Sequence, residues 1–196
     1  MKKIKISNGN HREISNCLNE VRILASITNP YILAYKEAVY DDAAGCLLLI
    51  TEFAYGGDLS GLIRSHQKKK QYMEEAEIWR MAMQMLHGLK TLHRMNIFHR
   101  DIKSANLLLT SNNTEVKLGD LNVSKISKSG MASTQTGTPY YASPEVWQDM
   151  PYNAKCDIWS MGCVLYEMCT FHPPFTANDL NGLKKKIIAG HYDRIP

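Results

Sequence analysis

His99-Arg100-Asp101-Ile102-Lys103-Ser104-Ala105-Asn106 sets a carboxylate, an ammonium and a carboxamide side by side, and its reading together with the downstream blocks decides the fold. Asp120-Leu121-Asn122 comes next, then Gly137-Thr138-Pro139-Tyr140-Tyr141, Ser143-Pro144-Glu145 and Asp157-Ile158-Trp159-Ser160-Met161-Gly162. Asp101, Asn106 or Asp120 alone would read as a turn cap. Ordered blocks at these spacings read instead as one site. Between Asn106 and Asp120, residues 107–109 and 116–118 are short strand candidates around the turn Ser111-Asn112-Asn113.

Upstream of this stretch the pattern changes character. Lys2-Lys3-Ile4-Lys5-Ile6 alternates with period two, which predicts a strand with Lys2 on the face of Ile4 and Ile6. After Ser7-Asn8-Gly9-Asn10, the residues Ile14, Leu18, Val21 and Ala25 recur at helical spacing, predicting one helix that stops near Asn29-Pro30. Residues 32–40 and 47–53 read as the strands of a hairpin about Asp41-Asp42-Ala43-Ala44-Gly45. From Gly56-Gly57-Asp58 to Leu92 the apolar period is helical, and this change marks a lobe boundary. Downstream, residues 124–137 read as a long polar loop. Residues 156–170 are nearly all apolar and predict a helix buried on most sides.

Composition sets the outer limits. The chain has 196 residues, 44% hydrophobic and 21% charged, enough for a sizeable core. A formal charge of +4 is too slight to imply a nucleic-acid partner. Cys17, Cys46, Cys156, Cys163 and Cys169 are scattered without a C-x-x-C pair, which argues for reduced thiols rather than a disulfide framework or zinc site. No secretory h-region comes after Met1, and the longest strongly apolar run, 46–50, is too short for membrane insertion. Lys68-Lys69-Lys70 and Lys184-Lys185-Lys186 read as solvated surface.

The blocks around Asp101, Asp120 and Glu145 match, in order and spacing, the protein-kinase set H-R-D-x-K-x-x-N, D-F-G and A-P-E. Gly56-Gly57-Asp58-Leu59, the run Gly137-Thr138-Pro139-Tyr140-Tyr141-Ala142-Ser143-Pro144-Glu145 and His172-Pro173-Pro174-Phe175 resemble the NIMA-related kinases in particular. The resemblance covers essentially the whole chain. It implies an α+β, bilobal protein kinase fold, with a partial antiparallel N-lobe sheet plus one helix over residues 1–57 and a mainly helical C-lobe over 58–196. It also implies an ATP- and Mg²⁺-dependent Ser/Thr kinase acting on protein substrates. By the same resemblance the cytoplasm is the expected location, with centrosome, cilium or nucleus as finer ones.

The resemblance assigns roles residue by residue. Phosphoryl transfer needs an acceptor for the hydroxyl proton, and Asp101 matches that base. Lys103 matches the lysine with which Ser/Thr kinases neutralise the transferring phosphate, and Thr138 stands in the substrate-facing loop. Mg²⁺ takes hard oxygen ligands, and Asn106 and Asp120 match its two side-chain positions. Lys2 matches the strand lysine that grips the α- and β-phosphates, with Glu20 as its helix partner. Glu13 is the alternative, and the adjoining Val21-Arg22-Ile23-Leu24 favours Glu20. Thr51 matches the gatekeeper, Glu52 and Ala54 the hinge carbonyl and amide, Asp58 the ribose contact, and Leu108 completes the ATP-binding set. Arg100 matches the arginine that pairs with a phosphorylated activation-segment residue, for which Thr134 is the first candidate and Ser133 and Thr136 the next.

Three departures bear on these expectations. No glycine-rich G-x-G-x-x-G loop precedes Lys2, and the chain stops at Asp193-Arg194-Ile195-Pro196, where family members continue into further helices. A chain incomplete at both ends is expected to bind Mg²⁺-ATP weakly and to transfer phosphate slowly or not at all. Asn122 stands where glycine is usual, although Asn tolerates positive φ better than other side chains. An inactive kinase-like interaction module is therefore the second expectation, against which Lys2, Glu20, Asp101, Asn106 and Asp120 weigh.

Overall fold

In the computed structural model, residues 1–5, 21–41, 43–121 and 139–195 are described. The chain begins with an antiparallel 3-stranded sheet of β1 (Lys2–Lys5), β2 (Tyr35–Asp41) and β3 (Cys46–Thr51), in the order β1-β3-β2. Lys2 pairs with Leu49 and Ile4 with Leu47. Leu47 and Leu49 then point, with period two, into a small core with Val21. Residues 21–26 are helical and end ahead of Pro30, where the sequence predicts the stop. The predicted residues 6–20 and the polar loop from 124 lie outside the described residues.

The hairpin forms, but its first strand starts at Tyr35 rather than Ile32. Residues 31–33 have another partner: Leu118 N–H donates to Tyr31 O and Leu33 N–H to Leu118 O, both at 2.9 Å. This segment therefore joins the sheet-bearing part to the helical part. Gly88 permits the approach, since a Cβ there would come within 2.8 Å of Tyr31 O. Asn29 adds a side-chain bond to Thr91 at 2.8 Å.

The helical expectation from Asp58 to Leu92 resolves into two helices. In α1 (Leu59–Lys69), Asp58 accepts from the Gly61 N–H at the N-cap, and Lys70 closes the C-terminus at φ 53°. In α2 (Glu75–Arg94), Glu75 and Glu77 lie in the first turn and His93 and Arg94 in the last, matching the helix dipole. The apolar period runs through both helices, and so the left-handed break at Lys70 is invisible to it. β4 (Leu107–Leu109) and β5 (Val116–Leu118) pair antiparallel at the predicted bounds. Beyond them come the short α3 (Pro144–Trp147), α4 (Lys155–Thr170) and α5 (Leu180–Ala189).

One large core joins α1, α2, β4, β5 and α4 through residues such as Leu59, Met85, Leu89, Leu107, Leu118 and Val164. Each such side chain contributes roughly 1.5–3 kcal/mol relative to exposure. A second C-terminal cluster packs Cys163 and Phe175 against Leu183 and Ile187. Among the described residues no helix is long and apolar enough to cross a membrane.

Candidate active site

The loop from His99 to Asn106 hangs between α2 and β4, and buried polar groups fix its shape. Asp157, on the first turn of α4, is 1% exposed. Its carboxylate accepts from the main-chain N–H of His99 and of Arg100, each at 2.9 Å, and from His93 Nε2 at 2.8 Å. His99 Nε2 donates to Gly119 O at 2.9 Å, tying this loop to the segment that carries Asp120. Burial holds the His99 imidazole below its ordinary pKa, despite the opposing field of Asp157, the Gly119 bond, Asp101 and Asp120. Because its partner is a carbonyl oxygen, His99 Nε2 carries the proton of this bond.

Within the loop, Asn106 Nδ2 donates to the Asp101 carbonyl at 2.8 Å and to Asp101 Oδ2 at 2.9 Å. Lys103 Nζ lies 3.2 Å from the same oxygen. The structure thus brings Asp101, Lys103 and Asn106 together. With Nδ2 committed, Asn106 presents its Oδ1 as the remaining acceptor. Gly119 N–H donates to the Asn106 carbonyl at 2.9 Å, which sets Asp120 beside Asn106. An amide oxygen and a carboxylate are the hard donors that Mg²⁺ takes, so the residues present fit that ion.

Asp120 has φ 49° and Arg100 φ 62°, both in the left-handed region that few side chains adopt. Arg100 lies over the rings of Phe98, at 5.8 Å, and Tyr152, at 5.5 Å. Lys2 Nζ meets Asp120 Oδ1 at 2.5 Å across the cleft. β1 therefore delivers Lys2 to the site on the face read from its alternation. Glu20, Asn122, Thr134 and Thr138 lie outside the described residues.

A cavity of about 190 Å³ opens beside this pair, lined in part by Lys2, Leu49, Thr51, Leu118 and Asp120. Thr51 ends β3 and leads into the connection to α1. Glu52 N–H donates to Ala34 O at 2.8 Å, which leaves its carbonyl as its remaining main-chain group. Ala54 is half-buried in this connection. Leu108 sits on β4 and bridges to Asp58. Asp58 Oδ1 accepts from Gly61 N at 2.7 Å, so one carboxylate oxygen caps α1.

Sequence reasoning missed several side-chain roles that hold the site, among them that of the Glu52 carboxylate. Glu52 Oε1 accepts from Ala34 N–H at 2.8 Å and from Lys117 Nζ at 2.9 Å. Burial alone would push the Glu52 carboxyl up, but these partners more than offset it and hold it below the ordinary range. Asp157 and Glu167 were also missed as supports. Their signal was present: both are carboxylates in the predominantly apolar sequence of α4.

The sequence model of the protein kinase domain matches residues 1–195. The probable serine/threonine-protein kinase nek2 of Dictyostelium discoideum is 41% identical over 100% of this chain and 47% of its own length. Serine/threonine-protein kinase Nek2 of Mus musculus is 40% identical over 91% of this chain and 42% of its own. Serine/threonine-protein kinase Nek4 of Mus musculus is 36% identical over 100% of this chain and 24% of its own. The chain thus spans less than half the length of these relatives. It belongs to the protein kinase domain family, and the relatives it resembles are NIMA-related kinases.

Proposed function

We propose that this chain transfers the γ-phosphoryl group of ATP to Ser and Thr hydroxyls of protein substrates, as a NIMA-related Ser/Thr kinase. The observation that carries the reading is the convergence of Asp101, Lys103 and Asn106 in one hydrogen-bonded loop, with Asp120 beside Asn106 and paired to Lys2. Asp101 accepts the hydroxyl proton, and Lys103 offsets negative charge on the group in flight. Lys2 orients the phosphates, with Glu20 as its expected support. Asn106 and Asp120 would hold Mg²⁺, which would supply neutralisation of phosphate charge. Thr51, Glu52, Ala54 and Leu108 frame the adenine, and Asp58 reaches the ribose through its uncommitted oxygen. Residues 1–57 and 58–196 act as the two lobes about this cleft.

Arg100 is held between Phe98 and Tyr152 and is the partner proposed for a phosphate on Thr134, with Ser133 and Thr136 as alternatives. Thr138 is the residue proposed, on the family resemblance, for the acceptor side. Cell-cycle and ciliary or centrosomal roles are the finer reading that the NIMA-related relatives support.

Transfer of labelled phosphate from ATP to a Ser/Thr peptide tests the reading. Asp101→Asn should lower the rate by about 10²–10⁴. Asp120→Ala should abolish most transfer, and a Tyr acceptor should receive little. Unchanged turnover in Asp101→Asn would overturn it.

A further inference from the structure

Arg100 stands one residue ahead of Asp101 with φ 62°, a left-handed conformation that costs a non-glycine residue roughly 10- to 100-fold in population. The turn matters because Asp101 emerges from it toward Lys103 and Asn106, the partners of its Oδ2. Rotation about the N–Cα bond of Arg100 would swing Asp101 away from both. That bond therefore has to be held from each end.

The nitrogen end is held by α4, since Arg100 N–H donates to Asp157 Oδ1 at 2.9 Å. This bond leaves the torsion open, because φ turns about an axis that begins at the nitrogen. The Cα end is held through the side chain. The guanidinium carbon lies over the Phe98 ring at 5.8 Å and over the Tyr152 ring at 5.5 Å, both within reach of cation–π attraction. Each such contact is worth roughly 2- to 30-fold in population, so one alone falls short of the upper cost of the turn and two can meet it.

The two rings differ in what they rest on. Phe98 lies two residues upstream, beside the loop to which Arg100 belongs. Tyr152 comes from another part of the chain. It is half-buried just ahead of α4, and its neighbour Asn153 is pinned there by two bonds. The Asn153 Oδ1 accepts from Lys155 N–H at 2.8 Å, and its carbonyl accepts from Cys156 N–H at 3.1 Å. The start of α4 thus holds Arg100 twice, at the nitrogen through Asp157 and at the guanidinium through Tyr152.

We infer that Tyr152 is a positioning residue: by holding the Arg100 guanidinium over its ring, it fixes the left-handed turn that aims Asp101, and so governs the rate of transfer rather than the binding of ATP. This inference rests on the phosphotransfer reading and is separate from the phosphate proposed as a partner of Arg100. Catalysis of this class is largely positioning, and a misplacement of about 1 Å can lower rates by about 10²-fold.

The test uses the whole chain with Tyr152→Leu, Tyr152→Phe, Arg100→Ala, Arg100→Gly and the Tyr152→Leu/Arg100→Gly double variant. Tyr152→Leu keeps apolar bulk but removes the π face, and should lower kcat for a Ser/Thr peptide roughly tenfold with the KM for ATP unchanged. Tyr152→Phe keeps the face and should stay within about twofold of the unaltered chain. Arg100→Ala and Arg100→Gly both remove the guanidinium, but glycine alone accepts the turn freely, so Arg100→Gly should be roughly tenfold the faster. In the Arg100→Gly background, Tyr152→Leu should cause no further loss. Amide hydrogen exchange gives a readout independent of activity: exchange at residues 101 and 102 should speed in Tyr152→Leu and return to normal in Tyr152→Phe, with α2 unchanged as the control for folding. A shifted KM for ATP, equal losses in Tyr152→Phe and Tyr152→Leu, Arg100→Ala as fast as Arg100→Gly, or unchanged exchange at 101 and 102 in Tyr152→Leu would each overturn the inference. If the unaltered chain transfers no phosphate, the phosphotransfer reading fails, and the exchange measurements still decide whether Tyr152 holds the turn.

Discussion

The catalytic-loop side of the cleft and the β1 side hold their charges in opposite ways. Asp157 and His99 are 1% and 2% exposed, and Asp157 accepts from two main-chain N–H groups of the loop that it shapes. The Lys2 and Asp120 side chains are 40% and 41% exposed, and their pair crosses open cleft. A buried carboxylate with several donors has one low-energy arrangement, because each lost bond leaves an unsatisfied group. An exposed pair exchanges partners with water at little cost. The difference suits the proposed phosphotransfer, in which the acceptor side would stay rigid while phosphates and metal would enter and leave past Lys2 and Asp120. The link between Lys117 and Glu52 is intermediate, with side chains 15% and 25% exposed.

The sharpest way to break this comparison is Asp157→Ala. It strands one buried and one partly buried N–H group and should cost about 3–5 kcal/mol, read as a lower urea midpoint at unchanged slope. A loss under about 1 kcal/mol would show that the loop is not held from α4.

His99 sharpens the same side through pH. Its folded-state pKa lies below the ordinary 6.5, so below that value the unfolded chain binds a proton that the folded chain refuses. Stability should then fall by up to about 1.4 kcal/mol per pH unit as acid is added, until the folded pKa is reached. In His99→Phe this part of the slope should vanish.

Lys117→Met probes the intermediate case and should cost about 1 kcal/mol in denaturant unfolding. Glu52 is held below its ordinary value of 4.5, so its contribution is present above that pH and is lost as pH falls through the folded value. Lys117→Met should shrink this acid loss. The smallest change in stability belongs to Lys2→Met, within about 0.5 kcal/mol. Its phosphate transfer should nevertheless be strongly reduced, which would separate function from stability on the exposed side.

The candidate site was legible because its chemistry is local. Asp101, Lys103 and Asn106 lie close in sequence, and their own hydrogen bonds bring them together. β4 and β5 appeared at their predicted bounds because a short turn pairs them. The supports were not legible in the same way. Lys117 reads as an ordinary strand lysine until Glu52 is seen across 65 positions of sequence. Tyr141 and Ser104 read as motif neighbours until Glu167 accepts from both.

The sequence by itself determined the family, the change from strand to helix near Asp58 and the identity of the groups around Asp101, since periodicity and motif spacing are properties of neighbouring residues. Tertiary structure decided what covers and orients those groups. It drew residues 31–33 away from the hairpin to bond with β5. It ended α1 at a left-handed Lys70, and it turned Asp157 and Glu167 from isolated charges in an apolar helix into the acceptors that hold two loops. The physical reason is that a buried polar group must find its partner wherever the packed chain supplies one, and sequence distance carries no record of where that will be.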